Sequence, residues 1–92
     1  MAESTLGARL KATCDLVDLS LRELDRLAGL TPGHSRQAVA FNNNPTSQTC
    51  IAWARVLGVS LDWLCRGDEH GKPPKRAAVL RAVEAARAQP AE

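Results

Sequence analysis

The residues of this chain with nucleophilic or metal-binding chemistry are three cysteines, Cys14, Cys50 and Cys65, and two histidines, His34 and His70. No pair of them has the short spacing of a zinc site. Neither histidine has a nearby Asp–Ser or Asp–Cys pattern that would prepare a nucleophile. The cysteines fall at apolar or semi-apolar positions of helical repeats, where a thiol is filler. Their odd number and scattered spacing suit reduced thiols in a cytoplasmic protein. No catalytic residue, metal ligand or cofactor is expected, and the chain does not read as an enzyme. A different chemistry is offered by "GLTPGHSRQAVAFNNN", Gly29 to Asn44. Gly33, His34, Ser35, Arg36 and Gln37 give a core little to bury but present several hydrogen-bonding groups in succession.

The charge pattern around that segment agrees with an anionic partner. The net charge is only +2, yet no Asp or Glu occurs between Arg26 and Leu61, while Arg36 and Arg55 lie within that stretch. Such a block removes repulsion from a polyanion as well as supplying attraction. A chain of 92 residues makes one small domain with a tail, and 45% hydrophobic content argues against wholesale disorder. Phe41, Trp53 and Trp63 are the whole aromatic complement. The helical register of the tryptophans beside Ile51, Leu57, Leu61 and Leu64 assigns them to the core rather than to base stacking. No apolar run suggests a signal segment or a membrane span.

Periodicity and punctuation predict an all-α chain. Leu6, Leu10, Cys14 and Val17 define an amphipathic helix over 5–17. Ser20 and Glu23 form a capping box for a second helix carrying Leu21, Leu24, Leu27 and Ala28, with Gly29 as its stop. Thr31 is the expected cap of a third helix, with Pro32 at its first position and an end near Ala40. The segment from Asn42 to Pro45 is a loop. Thr46 caps a fourth helix ending at Gly58, and Ser60 caps a fifth ending at Gly67. Residues 68–74 read as a linker. The Ala-rich segment 75–89 is a last helix with Val79, Leu80, Val83 and Ala86 on one face. It is marginal alone and needs a packing partner. Folding back onto the domain and pairing with a second copy both satisfy that need; the second is the favoured expectation, which makes Val79, Leu80 and Val83 dimerisation residues.

The close helix pair around Gly29 and the segments "LSLRELDRLAGLTPGH" and "WARVLGVSLDWLCRGDE" resemble the Cro/C1-type (XRE-like) helix-turn-helix family over about residues 6–67. The resemblance implies a five-helix lambda-repressor-like DNA-binding domain over 5–67, here with an extra C-terminal helix, and double-stranded DNA as partner. It makes the third helix the recognition helix, with Thr31, Pro32, Gly33, Arg36 and Gln37 facing the major groove. Arg36 suits the O6/N7 edge of guanine and Gln37 the N6/N7 edge of adenine. The absent side chain of Gly33 allows close backbone approach. His34 is placed to reach a phosphate or to pack. Asn42, Asn43 and Asn44 fall where the family's loop meets phosphates, and the start of the second helix, with Arg22, is a further phosphate contact.

Two departures from the family pattern stand out. Ser35 and Ala38 occupy core-facing positions that usually carry branched apolar residues, which predicts a lightly anchored or shifted third helix packed through Val39 and Phe41. Cys14 and Val39 replace an Arg–Glu pair found in some relatives, and a joint replacement by apolar groups is often neutral. The expected function is a sequence-specific transcriptional regulator, a homodimer on a palindromic operator. The alternative is a protein-interaction module of the same fold, anti-regulator or antitoxin-like, with weak or no DNA binding.

Overall fold

The capping hydroxyls set most of the helix starts. A computed structural model describes residues 5–41, 45–67 and 74–88, and these form six α-helices and no strand. Thr5 Oγ1 accepts from Ala8 N at 3.0 Å to open α1 (Leu6–Leu16), and Ser20 Oγ accepts from Glu23 N at 3.0 Å to open α2 (Leu21–Leu27). Thr46 and Ser60 do the same for α4 (Ser47–Leu57) and α5 (Leu61–Arg66), at 3.2 and 3.3 Å. Each such cap contributes about 1 kcal/mol. The Ser20–Glu23 box is closed on one side, since the Glu23 carboxylate turns to Arg26, receiving bonds of 2.9 and 2.6 Å. At the other ends, Leu30 N bonds Asp25 O and Val59 N bonds Ala54 O, with Gly29 and Gly58 in the left-handed region between them. These are the stops that glycine permits.

The third helix departs from expectation. It runs His34–Phe41, not from Pro32, and Gly33 has a φ of +111°. Thr31 is therefore not its cap. Gly33 O accepts the first intrahelical bond, from Gln37 N at 3.0 Å. The free N–H groups of Gly33 and Ser35 are met instead by a side chain from another helix, Asp25. A carboxylate is a stronger acceptor than the Thr31 hydroxyl, and the Pro32–Gly33 turn brings the helix end to it.

Helix α1 packs against α2, α3 (His34–Phe41), α5 and α6 (Arg76–Ala88). Leu10 and Cys14 from α1 meet Leu24, Trp53, Leu57 and Leu64 in one buried cluster. Burying each leucine contributes about 1.5–3 kcal/mol. Both tryptophans belong to this core with Leu57 and Leu64, whereas Ile51 and Leu61, read in the same register, are exposed. Cys14 and Cys50 are buried, but Cys65 is exposed on α5 and is not core filler. Arg9, buried on α1, donates from Nε to Leu64 O at 2.9 Å and so satisfies a carbonyl near the end of α5. The third helix is not lightly anchored. Ser35 and Ala38 are themselves buried, and a side chain at Gly7 would meet the Ala38 carbonyl oxygen, so α1 and α3 touch through backbone. Small residues at those positions bring the helices together rather than loosening them. Val39, half-buried, packs beside them as expected, and the Phe41 side chain lies outside the described residues.

The last helix, α6 (Arg76–Ala88), lies against α4 and α1 of its own chain. Val79 and Val83 are fully buried in the shared core. A Cβ added at Gly58 would lie 2.6 Å from Ala82 Cβ, so the turn after α4 is closely covered. Arg76 Nε donates to Leu16 O at 3.0 Å, near the end of α1. This corrects the dimerisation expectation: the apolar face carrying Val79 and Val83 is already occupied within the chain, leaving only Leu80 half-exposed. Among the described residues no helix is long and apolar enough to cross a membrane.

Candidate nucleic-acid interface

The outward face of α3 and its approach from α2 hold the residues singled out by sequence. Arg22, Thr31, Pro32, His34, Arg36 and Gln37 are all exposed, and Gly33 is half-buried. Arg22, Pro32, Gly33 and Arg36 line one cleft of about 470 Å³ between α2 and α3, floored by Leu21, Asp25 and Ser35. His34 and Gln37 line a second cleft of about 260 Å³ on the α4 side, with Thr46, Thr49 and Trp53. Helix α3 is thus a ridge between two clefts, with Arg36 on one flank and Gln37 on the other. Asn42, Asn43 and Asn44 lie outside the described residues.

Individual roles differ from the sequence reading in three places. Thr31 offers its carbonyl rather than a capping hydroxyl: His34 Nδ1 donates to Thr31 O at 2.8 Å, which leaves Nε2 as the outward nitrogen. Gly33 precedes α3 with a φ of +111° instead of lying inside it, and nothing lies within 4 Å of the position its Cβ would take, so the space for a close approach is open. The start of α2 is also less open than expected. Ser20 already takes the Glu23 N–H, and the Glu23 carboxylate adds negative charge to the first turn. Hydrogen bonding from Arg26, then the charges of Arg26 and Arg87, hold Glu23 below the usual carboxylate range. Arg22 presents an exposed side chain beside that turn.

The residue that sequence reading missed is Asp25. It is completely buried, and its two oxygens gather donors from three segments. Trp53 Nε1 on α4 donates to Oδ1 at 3.0 Å, and Gly33 N donates to Oδ2 at 3.2 Å. Ser35 N lies 3.3 and 3.1 Å from the two oxygens, and Ser35 Oγ lies 2.9 Å from Oδ2. The Ser35 hydroxyl is also 2.9 Å from Leu21 O, so its single proton is shared between two acceptors. Buried charge without partners would cost several kcal/mol, and here both carboxylate oxygens have hydrogen-bond donors. No buried side-chain nitrogen or oxygen among the described residues lacks a partner. The signal that could have found Asp25 was its place four residues after Leu21, on the inward stripe of α2, facing the inward Ser35.

Comparison of the chain with protein families, with curated proteins and with solved structures found no match. The functional reading therefore rests on the residues and their arrangement.

Proposed function

We propose that this protein is a sequence-specific DNA-binding regulator of the Cro/C1 helix-turn-helix type, with α2 and α3 as its helix pair. One observation carries the reading. Helix α3 is fixed along its inner face by Asp25 and by backbone contact with α1, while its outer face carries exposed Arg36 and Gln37 and no acidic residue. A rigid ridge with donors on its outer surface fits the width of the major groove. In this reading Arg36 contacts guanine and Gln37 contacts adenine. Arg22, and His34 in its imidazolium form with Nε2 also protonated, meet phosphates, which orient the domain without reading sequence. Thr31 and Pro32 flank the duplex.

Operator symmetry still calls for two copies, with half-sites about 34 Å apart. With Val79 and Val83 used internally, the proposed two-fold contact moves to α5, where Leu61 and Cys65 are exposed four residues apart. The test is fluorescence anisotropy on operator candidates selected from random duplexes, repeated over a range of salt. Binding should weaken linearly in log salt. Arg36→Ala should cost about 1–3 kcal/mol on the selected site and relax one base position. A folded sample that binds no duplex even at low salt would overturn the proposal in favour of the protein-interaction module.

A further inference from the structure

We infer that Asp25 is the positioning residue of the DNA-reading face: its buried carboxylate holds α3 in register with α2, so that Arg36 and Gln37 reach base edges. The inference rests on the DNA reading above and names what controls specificity at that same face. Arg22 stands three residues before Asp25 on α2, and Arg36 stands one residue after Ser35 on α3. The bonds from Ser35 to Asp25 are therefore the short link between a phosphate-meeting side chain and a base-meeting one. Trp53 braces the same carboxylate from α4, which fixes its orientation. If the link fails, both arginines remain on the surface, but their relative placement is no longer set. Attraction to phosphate survives such a change, because it is tolerant of geometry. Bidentate base contact does not.

Asp25→Asn tests this with little change of shape. The amide replaces one acceptor by a donor, which must face either the Trp53 indole N–H or the N–H groups of Gly33 and Ser35. Wild type, Asp25→Asn, Trp53→Phe and Ser35→Ala would be compared for affinity on a selected operator and on random duplex. Amide hydrogen exchange across residues 34–41 would be measured on the same samples. The expected result for Asp25→Asn is a fall of about tenfold or more in the operator-to-random ratio, with random-duplex affinity within about twofold of wild type. Exchange at the start of α3 should quicken. Trp53→Phe and Ser35→Ala should lower the ratio in the same direction by less, and they carry the test if Asp25→Asn does not fold. An unchanged ratio in folded variants, or an equal loss on both duplexes, overturns the positioning role. A wild-type protein that selects no sequence overturns the DNA reading itself, a result distinct from either.

Discussion

The junction between α2 and α3 and the junction between α4 and α6 are both buried, but they are held by different forces. The first is polar: one carboxylate, two backbone N–H groups, a hydroxyl and an indole N–H. The second is apolar, with Val79 and Val83 in the core and Ala82 over Gly58. Hydrogen bonds are directional and fix orientation as well as distance. Apolar burial is non-directional and tolerates small shifts. The face proposed to read a duplex is thus held by the orienting kind of contact, and the supporting helix by the forgiving kind.

The largest effect expected from breaking this contrast is at Asp25. Asp25→Ala strands the Trp53 indole N–H and the N–H groups of Gly33 and Ser35 in the interior. The cost should be on the order of 3–5 kcal/mol, read as a lower urea midpoint by circular dichroism. Val83→Ala removes two buried methyl groups and leaves a small cavity, for about 2 kcal/mol in the same assay. If the valine substitution cost more than the aspartate one, the polar junction would not be the stiffer of the two. Operator binding sharpens the contrast further: Val83→Ala should leave the specificity ratio unchanged.

Sequence legibility divides along the same line. Caps and stops are local, so Ser20, Thr46, Ser60, Gly29 and Gly58 announced the ends of their helices within a few residues. The exposure of Arg36 and Gln37 was legible for a similar reason, since α3 has so few apolar positions to turn inward. Asp25 offered one local cue, its place on the inward stripe of α2, but its role was not legible, because its partners lie 8, 10 and 28 residues away. An Asp between Leu24 and Arg26 reads as solvated until the turn after Gly29 brings Ser35 beside it. That same long-range acceptor moved the start of α3 from Pro32 to His34. The role of α6 was ambiguous in principle: a stripe of Val79, Leu80 and Val83 demands an apolar partner but does not specify whose.

Beneath both junctions lies α1, and alkaline pH probes how dry that shared core is. Burial, with the charge of Asp15 next in effect, pushes the Cys14 thiol from an ordinary value of 9.0 up to about 12. Between those values the unfolded chain releases a proton that the folded chain keeps. Stability therefore falls as pH rises through 9 toward 12, by about tenfold in the folded-to-unfolded ratio at pH 10. Cys50, raised to about 11 first by burial and then by Cys65 beside it, acts in the same direction. Urea midpoints from pH 8 to about 10 would measure the slope, and Cys14→Ala should reduce it by about half, the rest belonging to Cys50. An unaltered slope in that variant would place the titration elsewhere. In the native wild type, thiol-specific reagents should label exposed Cys65 well before Cys14.

The smallest effect concerns an ion pair that joins the two regions. Arg87 on α6 lies 3.7 Å from Glu23 on α2, and Glu23 is more tightly engaged by Arg26 at 2.6 Å. The long distance, the exposure of Arg87 and the competing arginine all weaken the bridge. Arg87→Ala should change stability by no more than about 0.5 kcal/mol, and the difference should shrink further as salt is added. Operator affinity should follow the same small change, because Asp25 rather than Glu23 orients α3. A loss above about 1 kcal/mol, persisting at high salt, would mean that α6 supports α2 through more than an exposed charge contact. The polar and apolar junctions would then be one cooperative unit. An effect within the expected range leaves them separable, with α6 supporting the core and the Asp25 cluster orienting the face proposed to read a duplex.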